Sequence, residues 1–217
     1  MLTPILITLA VGYLLGSLPF GYLVARAKGV NIFEVGSKNP GATNVRRVLG
    51  HGPGNLVLFL DALKGAAATG GPLLAKGLAG ANCPFDRAQI EILMVTGLVA
   101  AILGHSFSCF TRFKGGKSVA TGAGGFLVLF PAGGGIALAI FLVIIGLTRY
   151  ISLGSMIGAA SLPITAVLMQ RSTVLISVSA VVALFVILRH RANISRLLAG
   201  TESKIGRKAA ASAAPKS

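Results

Sequence analysis

Seven apolar runs, separated by short polar links, constrain this chain more than any other feature of its sequence. The runs lie at about 4–25, 54–75, 90–107, 118–131, 134–148, 151–169 and 173–188. They do not alternate apolar and polar residues, as the strands of a membrane β-barrel would. A helix needs roughly 17–25 apolar residues to cross a bilayer, because its backbone must satisfy its own hydrogen bonds there. We therefore predict an all-α integral membrane protein with seven transmembrane helices.

The composition supports a membrane protein. Of 217 residues, 54% are apolar and only 12% are charged, which leaves too little polar surface to cover a water-soluble globule. The first run has no basic residue before it and no cleavage pattern after it, so we expect a retained helix and not a secretory signal peptide. We expect one membrane domain over 1–206 and a disordered cytoplasmic tail over 207–217, which is small, polar and ends near a proline.

The distribution of basic residues predicts the orientation of the chain. The formal net charge is +15, and most Lys and Arg residues lie in links 26–53, 108–117 and 149–152 and from Arg189 onward. Seven crossings place all of these on one side and leave only Lys76, Arg87 and Arg171 on the other. The positive-inside rule then predicts the N-terminus outside and the C-terminus in the cytoplasm. A single crossing over 118–148 would move Arg149 and the basic tail outside, against this rule.

The charge does not indicate a nucleic-acid partner, because the sequence holds no basic DNA-reading module. No Cys/His cluster, no pair of carboxylates and no Ser-His-Asp spacing stands out either, so we expect neither a metal nor another cofactor. Cys83 and Cys109 lie near opposite ends of the third predicted span, which makes a disulfide between them implausible. The sequence leaves protein partners unknown.

The first cationic segment, residues 36–47 (GSKNPGATNVRR), has the composition of a phosphate-binding loop. Gly36 and Gly41 allow tight turns that point backbone amides inward. Ser37 and Asn44 can donate hydrogen bonds, and Arg47 offers a planar fork that suits phosphate oxygens. The alternative is a simple turn whose cations set orientation, but the density of Gly, Ser, Asn and Arg favours phosphate binding.

The second cationic segment, residues 111–118 (TRFKGGKS), resembles a nucleotide-binding P-loop only superficially. Thr111 replaces the leading glycine of that motif, and no α/β sheet surrounds it. We instead expect a helix to begin near Ser118, with glycine amides and the charge of Lys117 favouring an anion at its N-terminus. Lys114 could also contribute, or it could merely extend to the interface and set orientation.

The third cationic segment, residues 189–193 (RHRAN), follows the last span. His190 and Asn193 are three residues apart, so a continuing helix would place them on one side. A histidine can donate to an anion or transfer a proton. The alternative is a histidine that ends a helix at the membrane interface.

Two charged residues fall inside the second predicted span. Asp61 and Lys64 are spaced to pair on one helix face, and charges in a membrane are costly. We expect them to support the site, with a purely structural ion pair as the alternative. His105, at the end of the third span, is expected to have a structural role, and Glu202 is expected to pair with cations of the C-terminal segment.

Taken in order, these segments resemble the bacterial acyl-phosphate:glycerol-3-phosphate acyltransferases, the PlsY-type membrane enzymes. The resemblance runs from about Gly16 to Gly206 and rests on residues 36–44 with Arg47, on residues 104–105 followed by 113–117, and on residues 189–193 followed by 196–202. Ser118 departs from the glycine usual after the second lysine, and Ser108 stands where proline is common. These departures concern the flexibility of the loop and not the reaction.

The resemblance implies an activity and a set of site residues. Such enzymes transfer a fatty acyl group from acyl phosphate to the 1-hydroxyl of glycerol 3-phosphate, at the cytoplasmic face of the bacterial inner membrane and in contact with membrane lipid. We expect catalytic roles for Ser37, Arg47, Lys117, His190 and Asn193. We expect substrate contacts from Gly36, Asn39, Gly41, Asn44, Lys114, Gly115, Gly116 and Ser152, with Asp61, Lys64, His105 and Glu202 supporting the site.

Two other functions were weighed. Glycerolipid acyltransferases with thioester donors need an aspartate five residues after a histidine, but Leu56, Phe110 and Ser195 occupy those positions here. A transporter of phosphate or an organic phosphate would place its cations around a cavity at the membrane midplane. The cations of this chain instead crowd one interface, which favours the enzyme.

Overall fold

The computed structural model describes residues 1–206, and that part of the chain is helical with no strand. Its α-helices are α1 (Leu2–Ser17), α2 (Phe20–Arg26), α3 (Ala42–Leu49), α4 (His51–Ala79), α5 (Arg87–Ser106), α6 (Val119–Leu129), α7 (Pro131–Thr148), α8 (Ile151–Leu168), α9 (Thr173–Arg189) and α10 (Arg191–Leu198). The all-α prediction is confirmed. The predicted disordered tail, 207–217, lies outside the described residues.

Five helical stretches are long and apolar enough to cross a membrane, namely Leu2–Arg26, His51–Asn82, Arg87–Thr111, Pro131–Thr148 and Ile151–Leu168. Helices α9 and α10 together would make a sixth, although the chain bends by 59° between them. Helix α6 has only 11 residues and rises about 16 Å, roughly half the thickness of the hydrocarbon layer. Each of the seven predicted apolar runs contains a helix, but span length alone supports five or six crossings.

The first span is broken at Leu18 and Pro19, where α1 ends and α2 begins. The last carbonyls of a helix have no partner within it, so they must accept hydrogen bonds from elsewhere. The carbonyl of Leu18 accepts from Lys64 Nζ at 2.7 Å, and the carbonyl of Ser17 accepts from Ser108 Oγ at 2.6 Å. The break thus supplies acceptors for two polar side chains that are themselves buried.

Small residues set the distances between the helices. A Cβ atom on Gly16 would lie 2.2 Å from the carbonyl oxygen of Ala101, which makes α1 and α5 neighbours in direct backbone contact. A Cβ atom on Gly65 would lie 1.9 Å from the carbonyl oxygen of Thr121, so α4 and α6 approach equally closely. These contacts bring α1 directly against α5 and α4 directly against α6.

The core lies between α5, α6, α8 and α9 and is built around the fully buried rings of Phe126 and Phe130. Large apolar side chains on the outer faces stay exposed, for example Leu78 and Leu147. In a membrane protein such a surface contacts lipid. Helices α5 and α9 end, and α4 and α6 begin, at one end of the bundle, and this end gathers the three cationic segments.

Candidate active site

Asn44 organises the first cationic segment. Its buried side chain accepts a hydrogen bond from the Ser37 amide at 2.8 Å and donates to the Val35 carbonyl at 3.1 Å. Arg47 Nη1 donates to the same Asn44 oxygen at 3.4 Å. Gly36 has φ +59°, and a Cβ there would lie 2.3 Å from Asn44 Oδ1, so glycine is required. Asn44 therefore fixes the loop on α3 and holds Arg47 beside it.

The rest of this segment is a tight turn at the start of α3. The Asn39 side chain accepts from the Gly41 amide at 2.9 Å, and Gly41 is the N-cap of the helix. The Ser37 side chain is exposed at the surface. Asn39, Gly41 and Asn44 thus shape the loop, and Ser37 and Arg47 are among its exposed members.

The second cationic segment is held from two sides. The Gly116 amide donates to the His105 carbonyl at 3.1 Å, and a Cβ on Gly116 would lie 2.1 Å from His105 Nε2. From the other side, Arg189 Nη2 donates to the Gly116 carbonyl at 2.7 Å and reaches the Gly115 carbonyl at 3.4 Å. The two glycines are needed because their backbone is pressed against His105. Lys114 stays exposed at the surface.

Ser118 closes the segment as the N-cap of α6, with φ +59°. A serine in this left-handed conformation is strained by about 1–2 kcal/mol. Its buried hydroxyl donates to the Ile102 carbonyl at 2.8 Å and lies 2.7 Å from Ser106 Oγ. The prediction that a helix begins near Ser118 is confirmed. The strained backbone of Ser118 is thus accompanied by hydrogen bonds that hold the loop against α5.

A buried charge cluster, Asp61–Lys64–His105, lies against this loop. Asp61 and Lys64 form the predicted pair at 2.9 Å, with both side chains 3% exposed. His105 Nδ1 lies 3.4 Å from the same Asp61 oxygen. The cavity beside the cluster is lined by the Gly115–Gly116 backbone as well. The cluster therefore supports the second segment from within the bundle.

The third cationic segment differs from its prediction. The chain bends by 59° between α9 and α10, with His190 at the junction, so the expected continuous helix is wrong. The buried His190 ring contributes to this bend, because its Nδ1 lies 2.7 Å from the Val186 carbonyl. A carbonyl oxygen only accepts, so Nδ1 carries the proton and Nε2 remains for other contacts. The Asn193 amide bonds the His190 carbonyl at 2.8 Å, which starts α10.

Glu202 joins the second and third segments to α8. Its Oε1 accepts from Asn193 Nδ2 at 2.6 Å and from Ser152 Oγ at 2.7 Å, and its Oε2 accepts from Arg196 Nε at 2.6 Å. Lys117 Nζ in turn donates to Asn193 Oδ1. The partner of Glu202 is thus Arg196, within the basic C-terminal segment as expected. We call Lys117, Asn193, Glu202, Ser152 and Arg196 the Glu202 network.

Charge is unbalanced around this network. Partial burial lowers the pKa of Lys117 to about 8, although the Glu202 carboxylate opposes that shift. The positive charges of Arg196, Arg189 and Arg47 lower it further. Arg47 also has a lowered pKa, chiefly through partial burial, and the charges of Glu202 and Arg196 act on it. Arg47 of the first segment therefore lies within electrostatic range of the network.

Glu202 itself is held in its charged form. Burial raises the pKa of Glu202, but hydrogen bonds from Asn193, Ser152 and Arg196 outweigh burial, so that the pKa is lowered. The side chain is 7% exposed. With one carboxylate among several cations, the site as a whole favours an anionic ligand.

The structure brings most of the predicted site residues together at one end of the bundle. It also adds two residues to the site that the sequence analysis did not name as site residues. The added residues are Arg189, which holds the glycine carbonyls, and Arg196, which binds Glu202. The sequence offered a signal for both, because each is a cation within the third segment or the helix that follows it. Within residues 1–206, no group of three or more His, Cys, Asp or Glu side chains is arranged to hold a metal ion.

Comparison with known proteins gives consistent matches over most of the chain. Residues 6–200 match the family model described as glycerol-3-phosphate acyltransferase. A glycerol-3-phosphate acyltransferase of Desulforamulus reducens is 45% identical over 197 residues, covering 90% of this chain and 92% of the relative. One of Rippkaea orientalis is 47% identical over 199 residues, covering 91% of each.

Two solved structures share the fold. Both are crystal structures of PlsY (YgiH), described as an integral membrane glycerol 3-phosphate acyltransferase. The glycerol 3-phosphate form matches with a TM-score of 0.83 and 35% identity, covering 93% of this chain and 96% of that one. The lysophosphatidic acid form matches with a TM-score of 0.80 and 34% identity, covering 93% and 95%.

Proposed function

Because this chain belongs to the glycerol-3-phosphate acyltransferase family, we propose that it transfers a fatty acyl group from acyl phosphate to the 1-hydroxyl of glycerol 3-phosphate. The products are lysophosphatidic acid and inorganic phosphate, and the step is the first acylation of phospholipid synthesis. The chain is an acyltransferase and a multi-pass membrane protein. The donor and the roles of individual residues are the proposed part.

The observation that carries this proposal is the excess of positive charge around Glu202. Four cations from three distant parts of the sequence interact electrostatically around one carboxylate, that of Glu202. They are Arg47, Lys117, Arg189 and Arg196. Both substrates carry a phosphate, so their negative charges would offset this excess. Cations that are already fixed by hydrogen bonds stabilise such charge without rearrangement during the reaction.

The reaction needs no strong protein nucleophile, because acyl phosphate is a mixed anhydride. The 1-hydroxyl oxygen of glycerol 3-phosphate attacks the acyl carbonyl carbon, and an ester C–O bond forms. The C–O bond to the phosphate breaks, and phosphate leaves with the electron pair. Holding the two substrates in reactive geometry supplies much of the rate enhancement.

We assign the roles from position and charge. Lys117 and Arg47 bind the phosphate groups, with the backbone amides of the first and second segments as further donors. Ser37 and Asn193 orient substrate oxygens. Gly115 and Gly116 contact glycerol 3-phosphate, and Lys114, exposed nearby, adds positive charge. Glu202 and Ser152 position Asn193 and Lys117, while Asp61, Lys64 and His105 support the loop.

The proton of the attacking hydroxyl goes to a substrate phosphate in this scheme. Glu202 is a poor base, because both of its oxygens already accept hydrogen bonds. These bonds lower its pKa more than burial raises it. His190 is the competing base, since its Nε2 is free of the Val186 contact. A His190→Ala variant separates the two schemes. A loss of several orders of magnitude in kcat with substrate binding retained would favour the histidine.

We propose seven crossings, with the N-terminus outside and the site facing the cytoplasm at the bacterial inner membrane. Helix α6 begins beside Lys117, and after α7 ends, Ser152 reaches Glu202 of the same network. The pair α6–α7 therefore leaves the site end of the bundle and returns to it. This supports counting the pair as two passes, despite the shortness of α6, and the domain as a single unit over 1–206.

One assay tests the function and the donor together. Purified protein receives labelled glycerol 3-phosphate with acyl phosphate, with acyl-CoA or with no donor. We expect lysophosphatidic acid with acyl phosphate alone. Formation with acyl-CoA alone would overturn the donor assignment. Uptake of glycerol 3-phosphate into vesicles without donor, and no acylated product, would instead support the transporter.

A further inference from the structure

A cavity with no role in the proposed reaction lies at the end of the bundle opposite the site. It has a volume of about 620 Å³ and is lined by residues of α4, α5, α6 and α9 and of the α8–α9 link. Helix α9 has 17 residues and so separates its Ser172 end from its Arg189 end by about 25 Å. No residue of the Glu202 network lines this cavity.

The shortness of α6 explains why space remains here. Helix α6 stops at Leu129, partway across the bundle, while α4 and α5 continue alongside it. Its apolar lining includes Leu73 of α4, Met94 of α5, and Val128 and Leu129 of α6. Leu73, together with the neighbouring Leu74, is also exposed on the outer face of α4. The cavity is therefore an apolar groove next to a lipid-facing surface.

Three cations line this groove. Lys76, Arg87 and Arg171 come from three different elements, and all three line the cavity. In the seven-span topology these are the three basic residues on the outer side of the membrane. The positive-inside rule disfavours basic residues on that side. None forms an ion pair with a carboxylate of residues 1–206. Arg171 also lies over the Phe130 ring, with its guanidinium carbon 5.0 Å from the ring centroid. Three cations without a carboxylate partner in one cavity make it suited to an anion.

The other charged and polar groups at this end leave the positive charge uncompensated. Glu91 also lines the cavity, and Ser172 Oγ donates to its carboxylate. Asp86 caps α5 by accepting from the Gln89 amide at 2.8 Å and does not line the cavity. The lining thus holds three cations and one carboxylate, an excess of two positive charges.

We infer that this groove binds an anionic phospholipid of the leaflet opposite the active site. The phosphate group would lie among Lys76, Arg87 and Arg171, and an acyl chain would lie along Leu73, Met94 and Leu129. A free anion would use the cations but leave the apolar walls uncovered, so the combination favours a lipid. Basic residues at a membrane surface attract anionic lipids by about 1 kcal/mol each. This inference does not depend on the acyl donor or on the roles of the site residues.

The test uses the absence of tryptophan from the chain. A Leu73→Trp substitution places a single fluorophore in the groove, at a half-exposed position that tolerates a larger side chain. The protein is reconstituted in zwitterionic bilayers with increasing fractions of brominated phosphatidylglycerol or brominated phosphatidylcholine. We expect phosphatidylglycerol to reach half-maximal quenching at a roughly tenfold lower mole fraction. A Leu147→Trp reporter on the outer face of α7 should show no such preference.

Charge variants decide whether the cations cause the preference. On the Leu73→Trp background, Arg87→Gln with Arg171→Gln should remove the preference for phosphatidylglycerol. The matched pair Arg26→Gln with Lys28→Gln removes equal charge from exposed positions at the other end and should keep it. Acyltransferase activity of each variant serves as the control for folding.

Three results would overturn the inference. The first is equal quenching by both lipids in the parent protein. The second is a preference that survives the Arg87→Gln/Arg171→Gln change in folded, active protein. The third is an equal preference for phosphatidylglycerol at the Leu147→Trp reporter, which would mean that anionic lipid gathers around the whole protein and not in the groove.

Discussion

Two groups of charges lie at the site end of this membrane protein, one buried and one partly exposed, and they are balanced differently. In the Asp61–Lys64–His105 cluster one carboxylate meets one lysine, and both are almost completely buried. In the Glu202 network one carboxylate faces Lys117 and Arg196, with Arg47 and Arg189 acting from nearby. The opposite charges of Asp61 and Lys64 balance each other, whereas the second group has an excess of positive charge. We infer that the first stabilises the fold and the second binds substrate.

The largest effect should come from removing one partner of the balanced cluster. Asp61→Ala leaves Lys64 buried without its counter-charge, which we expect to lower the free energy of unfolding by about 3–5 kcal/mol. Equilibrium unfolding in mixed micelles measures it. Glu34→Ala, which removes an exposed carboxylate, is the control and should change stability by less than about 0.5 kcal/mol.

The double variant Asp61→Leu/Lys64→Leu sharpens that result. Replacing both charges by apolar side chains removes the unpaired buried ion, so part of the lost stability should return. The Leu18 carbonyl loses its Lys64 donor in this variant, which limits the recovery. A double variant as unstable as Asp61→Ala would mean that the pair matters for more than its charge balance.

In the unbalanced network, loss of a cation should reduce activity and spare stability. Lys117→Ala should lower kcat/KM by about 10²–10³-fold, the cost typical of one charge-stabilising donor. Its unfolding midpoint should stay close to that of the parent. Lys28→Ala, which removes an exposed lysine far from the network, should leave both unchanged. Turnover retained in Lys117→Ala would remove this lysine from the mechanism.

Replacement of the network carboxylate should have a smaller effect. Glu202→Gln keeps an acceptor for Asn193 and Ser152 but puts an amide against Arg196 Nε. We expect kcat/KM to fall by about 10–100-fold, equivalent to one lost hydrogen bond to a charged group. Glu34→Gln is the matched control. Unchanged kinetics in Glu202→Gln would show that the network does not position the site.

The pH dependence should reveal the buried lysine. Burial lowers the pKa of Lys117 to about 8, so the cation is present below that pH and is lost as the pH rises through it. If the charge is needed, kcat/KM should fall by about tenfold for each unit above pH 8. Lys117→Arg stays protonated and should lack this decline, even if its activity is lower throughout. A decline that persists in Lys117→Arg would assign it to another group.

The smallest effect concerns Ser118, where strain and hydrogen bonding oppose each other. Ser118→Ala keeps the left-handed backbone and loses the bonds to Ile102 and Ser106, whereas Ser118→Gly loses the same bonds and relieves the strain. Glycine should therefore be more stable than alanine by about 1 kcal/mol. Equal stability of the two variants would show that the strain is absorbed elsewhere.

Much of the fold could be predicted from the sequence because the signals are local. Apolar length located the helices, and the three-residue spacing of Asp61 and Lys64 predicted their ion pair. The break of the first span also had a local signal in Pro19, which cannot continue a helix hydrogen-bond ladder.

The rest depended on contacts between distant residues. Ser152 and Glu202 are 50 positions apart, and no local pattern in either segment indicates that they meet. The bend at His190 has no proline or glycine to signal it, and the contact of its ring with the Val186 carbonyl is visible only in the structure. For the same reason the sequence indicated Asn193 as a site residue, but it did not show that Asn193 accepts a hydrogen bond from Lys117 and donates one to Glu202.

The most direct test of the account asks whether three distant segments build one phosphate site. A ligand that binds the folded protein raises its unfolding temperature by mass action, so glycerol 3-phosphate should stabilise the parent protein without any donor present. We predict that this rise is lost in Arg47→Gln, in Lys117→Gln and in Asn193→Ala, one variant from each segment, and is kept in Lys28→Gln. A full rise in all three site variants would contradict the convergence on which the account rests.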